Sequence, residues 1–229
     1  MACHVAAPRA YHEYRARSQV GELIQKDSNY PTTSNMLAVM LPDQKPAIRL
    51  AREEELREAG TIVALSFESF RAALPPHILE PYMADASDLT AVSEEAQVVV
   101  AERGGELAGT VTYYEDAGRE GMGWPSSFAG LRTLAVSTSV QGRGVGRALC
   151  EWCIARAREQ GAEALALHTA EFMVAACRIY ESLGFQRWPS HDLLASDVLG
   201  FNPMLGDQRI IAYSLPISSA LKGTPVADA

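Results

Sequence analysis

Leu131-Arg-Thr-Leu-Ala-Val136, followed by Ser137-Thr-Ser-Val140 and Gln141-Gly-Arg-Gly-Val-Gly-Arg147, reads as a strand that runs into a glycine-rich turn and opens a helix. Glycines at alternate positions let successive backbone N–H groups face one concavity, and the start of the helix adds partial positive charge. Arg143 and Arg147 add full charges. The combination is an anion cradle of phosphate size; the competing reading is a strand–helix turn that needs glycine only for tight geometry. Two common nucleotide loops do not fit. Counted from Gly142, a G-x-G-x-x-G fingerprint would end on Arg147, and the Lys-Ser/Thr pair of a P-loop is absent.

Working outward, the pattern alternates between strands and helices. Ala47 to Ala51 predicts a short strand with Ile48 and Leu50 on one face. Glu53, Glu54 and Glu55 load the first turn of a helix, where negative charge suits the dipole, and read as a solvated run. Leu56, Ala59, Val63, Phe67 and Phe70 keep helical spacing up to a stop at Pro75-Pro76. A second helix is expected between His77 and Ala86. Gln97 to Glu102 and Glu106 to Glu115, joined by Arg103-Gly104-Gly105, form the clearest hairpin signal. Downstream come a helix over Gly144 to Gln160, a strand over Ala164 to His168 and a strand over Arg209 to Leu215. Between the last two, Phe172, Ala175, Ala176, Ile179, Tyr180 and Leu183 form a helical stripe closed by Gly184. This order implies an α/β (α+β) fold with helices on both faces of one sheet.

The chain has 229 residues, enough for one domain with an appendage. Residues 1–45 lack sustained periodicity and read as a partly flexible extension, with a short helix expected around Glu13 to Lys26; 46–217 read as the folded domain and 218–229 as a tail. A net charge of −8 argues against bulk nucleic-acid or anionic-membrane binding. No apolar run approaches the roughly 18 residues of a membrane span. Arg9, Arg15 and Arg17 fall where the apolar core of a secretion signal would lie, and four cysteines make no disulfide framework. A reduced, cytoplasmic setting is expected.

Gln141, Gly144 and Gly146 match Q/R-x-x-G-x-G/A, and Ile179-Tyr-Glu-Ser-Leu-Gly-Phe185 is similar to L-Y-E-K-L-G-F. In this order, with a helix and a strand between them, the two blocks resemble the GNAT superfamily of acyl-CoA-dependent N-acyltransferases over about residues 47–217. The stretch from Trp124-Pro125 through His168-Thr169 and Phe172-Met173 to Arg187-Trp-Pro189 is similar to an uncharacterised bacterial subgroup of these acetyltransferases. The resemblance implies a mixed, mostly antiparallel central sheet whose central strand pair splays into a V. It places the pantetheine arm against Leu134, Ala135 and Val136, with the Val136 N–H polarising the thioester carbonyl. The pyrophosphate would lie on Gln141, Gly142, Arg143, Gly144, Val145, Gly146 and Arg147. Acetyl-CoA is the implied co-substrate, a primary amine attacks directly, and neither a protein nucleophile nor a metal is called for.

Tyr180 stands in the position of the general acid, although the stripe it belongs to would bury an aromatic ring in any case. The general base is less legible. Ala129-Gly130-Leu131-Arg132 holds no acid, leaving Glu115, Asp116, Glu68, His168 or a chain of waters. His168, closing an apolar strand, also reads as a packed histidine. Met173 replaces a customary Asn. Trp124, Pro125 and Phe128 read either as walls of an acceptor pocket or as a loop plug. Cys150-Glu-Trp-Cys153 lies inside a helix and lacks a second Cys/His pair, which argues against redox or metal chemistry. The expected function is transfer of an acetyl group from acetyl-CoA to a small-molecule amine, in a monomer or homodimer. The alternatives are a protein or peptide amine as acceptor, or a non-catalytic acyl-CoA-binding module.

Overall fold

The computed structural model describes residues 45–217. The helix expected around Glu13 to Lys26, the rest of the extension and the tail lie outside the described residues. The chain forms strands β1 (Ala47–Leu50), β2 (Gln97–Arg103), β3 (Glu106–Tyr114), β4 (Ala129–Val136), β5 (Ala164–Ala170), β6 (Gln186–Arg187), β7 (Leu193–Leu194) and β8 (Arg209–Pro216). Its helices are α1 (Leu56–Glu68), α2 (Pro76–Ser87), α3 (Leu89–Val92), α4 (Val145–Glu159), α5 (Val174–Ser182) and α6 (Ala195–Leu199). The strands lie in the order β1-β2-β3-β4-β5-β8-β6, with β7 also on β8. Every pair is antiparallel except β4–β5.

Two hydrophobic layers sandwich the sheet. Leu56, Ala59, Val63 and Phe67 of α1 pack with Ile78 and Leu79 of α2 against Val98, Val100, Ala164 and Ala166. On the other face, Val145, Leu149, Cys150 and Cys153 of α4 and Tyr180 of α5 cover Val99, Val111, Leu131, Leu165 and Leu167. Gly104 and Gly105 both adopt positive φ, 65° and 85°, and turn β2 into β3 as the hairpin signal required.

Several local expectations are corrected by packing. Only Ile48 of β1 reaches a core, whereas Leu50 is 51% exposed, because β1 is an edge strand covered on one side. Glu55 is not solvated: it is buried, accepts hydrogen bonds from both Arg49 guanidinium arms at 2.8 Å and from the Arg52 amide, and is held down to about pKa 2 chiefly by Arg49. It clamps β1 to the start of α1. Pro76 does not stop α1, which ends at Glu68; it begins α2, where its missing N–H costs nothing. Helix α5 starts at Val174 rather than Phe172, since the Phe172 ring turns to the opposite layer and meets Phe70 at 5.2 Å. The short β6, β7 and α6 carried no sequence signal of their own.

Gly109 shows what holds α4 against the sheet. A Cβ there would lie 2.8 Å from the Ala135 carbonyl oxygen and 3.1 Å from Val145 Cγ1, the first residue of α4. We expect Gly109→Ala to lower the urea midpoint, at a cost of about 1–3 kcal/mol for overpacking, with the slope unchanged; an unaltered midpoint would show that β3 and α4 have room to separate.

Candidate active site

The site begins where the one parallel ladder stops. β4 and β5 pair at Ala129↔Leu165 and Gly130↔Ala166, and beyond these no pair joins them among the described residues. From Leu131 to Val136 the β5-facing backbone groups of β4 therefore have no strand partner, and buried backbone polar groups need one. A pantetheine-like amide chain is the kind of partner such an edge accepts.

A bulge sets the direction of that edge. Thr110 lies opposite Ala135 and Thr112 opposite Arg132, so β4 carries one extra residue, and Thr133 sits at φ 57°. A β-branched residue in the left-handed region is strained by about 1–3 kcal/mol. The extra residue reverses the phase of the strand: Leu134 and Val136 face α4, while Ala135 faces the α1–α2 layer.

Val136 leads into the glycine loop. Gly142 and Gly144 adopt φ 76° and 79°, an added Cβ on either would meet only open space, and Gly144 caps α4 without any side-chain cap. The first-turn N–H groups of α4, from Val145 to Arg147, thus face the loop's concavity with no competing carboxylate, and suit a pyrophosphate. Gly146 is buried, where a Cβ would press on Ile179 at 3.2 Å and Val136 at 3.4 Å. Gln141 donates from Nε2 to the Val136 carbonyl at 3.4 Å, and Arg143 is exposed. Arg147 hydrogen-bonds Glu151 at 2.8 Å and the Ser182 hydroxyl at 2.9 Å, which ties the loop helix to α5.

Tyr180, the expected acid, is buried between Phe185 and Tyr213 at ring distances of 5.7 and 6.2 Å. Burial raises its pKa well above the ordinary value, so it keeps its proton at neutral pH. Met173 stands just before α5 and accepts the Thr169 hydroxyl on its sulfur at 3.5 Å.

The four suggested bases separate clearly. Glu115 is held at the surface by Gln97, Arg156 and, through its carbonyl, Gln160. Asp116 caps a turn through the Gly118 N–H, and Glu68 pairs with Arg71. His168 lies on β5 two residues beyond Ala166, the last residue paired with β4. It donates from Nε2 to the His191 carbonyl at 2.9 Å, the only role that a carbonyl partner permits, and burial pushes its pKa down to about 4. Trp124 and Phe128 are plugs of the core, with Trp124 over His168 at 4.5 Å and parallel to His191 at 5.3 Å. Cys150 and Cys153 are buried, and burial pushes the Cys150 thiol up to about 12, so neither is a thiolate. No group of three metal-ligating side chains occurs among the described residues.

The sequence reading missed a buried charged group on the α1–α2 face of the fork. Arg132 of β4 pairs with Asp85 of α2 at 2.5 Å, which keeps the guanidinium charged against its burial. Glu120, in the turn between β3 and β4, is buried beside it, and desolvation pushes its carboxyl up to about 7 against the opposing pull of Arg132. Tyr82 of α2 interacts electrostatically with Arg132, Asp85 and Glu120, and also with Tyr180. Glu120 sits in a turn without periodicity, so nothing in the sequence singled it out from Glu115 and Asp116.

The acetyltransferase (GNAT) family profile matches residues 62–185, and the chain belongs to that family, a class of acetyl-CoA-dependent enzymes. Mycothiol acetyltransferase of Thermobispora bispora is 36% identical over 95 residues, 42% of this chain; the match spans about a third of that relative's length, 32%. A Salmonella typhimurium acetyltransferase-type protein, YncA, solved with acetyl-CoA, superposes with TM-score 0.53 at 17% identity over 81% of this chain and all (100%) of its own. The ribosomal-protein-S18-alanine N-acetyltransferase of Escherichia coli does so with TM-score 0.52 at 24% identity, covering 78% of this chain and 98% of its own. These two likenesses show the fold. Among the described residues no helix is long and apolar enough to cross a membrane.

The raised Glu120 carboxyl has a consequence for stability. The unfolded chain releases this proton near pH 4.5 and the folded chain near 7, so the stabilising contribution is complete below 4.5 and lost as pH rises to 7. We expect wild type to lose up to about 3 kcal/mol relative to Glu120→Gln across that interval, read from urea unfolding at pH 4.5 and 8. A pH-independent difference would show that Glu120 ionises normally.

Proposed function

We propose that the protein transfers an acetyl group from acetyl-CoA to the primary amine of a small molecule by direct attack, without a covalent enzyme intermediate. The observation that carries this reading is the end of the β4–β5 ladder after Gly130, which opens a strand edge leading straight into an uncapped helix N-terminus. One feature binds an amide chain and the other a pyrophosphate, in the order in which coenzyme A presents them. The backbone N–H groups of Leu134 and Val136 are the candidate donors to the thioester oxygen as negative charge builds there. The loop from Gln141 through Arg147 takes the phosphates. Tyr180 protonates the departing thiolate, a role for which its elevated pKa keeps the hydroxyl protonated beforehand.

The acceptor side supports a compact amine. Trp124 and Phe128 are buried in the α1–α2 layer and Trp124 packs over His168 at 4.5 Å, so aromatic rings already occupy the space beside that strand. Similarity to a relative named for mycothiol, over 42% of this chain, points the same way.

Calorimetric titration with acetyl-CoA, with NAD and ATP as controls, tests the donor. Thiol release across glucosamine, tyramine and an alanine-initiated peptide then tests the acceptor. Saturable binding of acetyl-CoA alone with turnover of the small amines is expected. Turnover of the peptide alone would make a polypeptide the acceptor, and binding without turnover of any amine would leave a ligand-binding module.

Two variants dissect the site. Gly144→Glu places a carboxylate in the cradle and is expected to weaken acetyl-CoA binding by about two orders of magnitude or more, from charge repulsion in a partly desolvated site. Gly144→Ala, which shares the left-handed backbone strain, should bind nearly normally. Equal losses in both would assign the effect to the backbone. For Tyr180→Phe we expect kcat to fall roughly 10²-fold or more with little change in acetyl-CoA affinity; unchanged turnover would reduce Tyr180 to a packing residue.

A further inference from the structure

Four buried polar atoms on the α1–α2 face of the central strands have no protein partner: Glu120 Oε2, His168 Nδ1, Trp124 Nε1 and Thr112 Oγ1. Buried polar groups are nearly always paired, and each one left over costs about 1–3 kcal/mol. These four are not scattered. Thr112 lies opposite Arg132 in the β3–β4 register, Arg132 interacts with both Glu120 and His168, and Trp124 stacks over His168 at 4.5 Å. Glu120 Oε2 and His168 Nδ1 are hydrogen-bond acceptors, the latter because its Nε2 carries the proton given to the His191 carbonyl. A ligand nitrogen that carries several N–H groups suits these two acceptors, whereas Trp124 Nε1 is a donor.

We propose that Glu120 is the group that takes a proton from the acceptor's ammonium, with His168 Nδ1 as the second acceptor that orients the nitrogen. This rests on the amine-acetylation reading above and names its missing base.

The position fits the task. Tyr82 interacts electrostatically with both Glu120 and Tyr180, so the proton acceptor and the proton donor share one electrostatic neighbourhood. The titratable and charged groups that interact with Glu120 are Tyr82 from α2, Tyr114 from β3 and Arg132 from β4, and Asp85 of α2 is paired with that Arg132. Asp85 engages Arg132 directly at 2.5 Å, which leaves Glu120 as the carboxylate whose second oxygen is unused. A base is most effective when its pKa lies near the working pH, and burial brings Glu120 to about 7. His168, pushed down to about 4, is too weak a base but remains an unprotonated acceptor.

The step balances as follows. An ammonium N–H passes to Glu120, leaving a neutral carboxyl group and an amine lone pair. The lone pair attacks the thioester carbon, the C–N bond forms and the C–S bond breaks. The departing sulfur takes the Tyr180 hydroxyl proton, and the proton left on the new amide nitrogen returns to the Tyr180 oxygen. Glu120 gives its proton to solvent, so thioester and ammonium become amide, thiol and one released proton.

The test compares wild type, Glu120→Gln and Glu120→Asp with the same glucosamine, tyramine and peptide panel, and with hydroxylamine, a nucleophile largely unprotonated at neutral pH. For the ammonium acceptors, Glu120→Gln should lose about 10²- to 10⁴-fold in kcat/KM and the acidic limb near pH 7 should disappear. Its rate should then climb with the amine's own deprotonation. Acetyl-CoA affinity and turnover of hydroxylamine, corrected for the uncatalysed reaction, should stay close to wild type, and Glu120→Asp should keep a reduced rate with an acidic limb. A variant that acetylates ammonium acceptors with an unchanged pH profile, or that loses hydroxylamine turnover equally, overturns the role of Glu120 while acetyl transfer stands. A wild-type protein that binds no acetyl-CoA overturns both.

Discussion

The parallel pairing of β4 with β5 lasts two residue pairs, Ala129↔Leu165 and Gly130↔Ala166, and the rest of the architecture is arranged around its interruption. Each side of the break is held by an extensive antiparallel ladder, β2–β3–β4 on one side and β5–β8 on the other, so the strands can part without unravelling the sheet. Two hydrophobic layers bridge the gap. Helix α4 binds β3 and β4 tightly enough to require Gly109, and its partner α5 brings Tyr180 to the far bank. The bulge at Thr133 adds the local adjustment, turning Leu134 and Val136 toward α4.

The two ends of the fork differ in chemistry because they differ in hydration. The glycine loop is exposed and offers backbone donors and arginines, a setting in which a highly charged phosphate group keeps much of its solvation. The α1–α2 face is enclosed, and there the same physics raises the pKa of Glu120 and lowers that of His168. Arg132 remains charged in this layer because Asp85 compensates it. An enclosed site of this kind favours proton transfer between groups of matched affinity over the binding of a fixed charge.

How much of this was legible depends on the range of the interaction involved. The hairpin at Arg103-Gly104-Gly105 was readable because positive φ at two glycines is a local property. Helices α1, α4 and α5 followed from periodic apolar stripes, and the loop from Gln141 to Arg147 from its glycine spacing. Phe172 continues the α5 stripe in sequence, yet its ring packs on Phe70 in the opposite layer, a contact between distant segments. Glu55 belonged to a run of three acids that looked alike, and only the proximity of Arg49 on β1 singled it out. The pairs β6 and β7 exist only as additions to β8, and two-residue strands carry no pattern.

By itself, the sequence determined the mixed class of the fold, the glycine-rich turn that opens α4 and the family resemblance that the family profile bears out, since turn chemistry, periodicity and motif spacing are encoded in consecutive residues. Tertiary structure decided where the sheet opens, which acid is desolvated and which histidine tautomer is presented. Those properties arise when distant segments remove water from one another, and Glu120 is an ordinary carboxylate until α2 and β4 close around it.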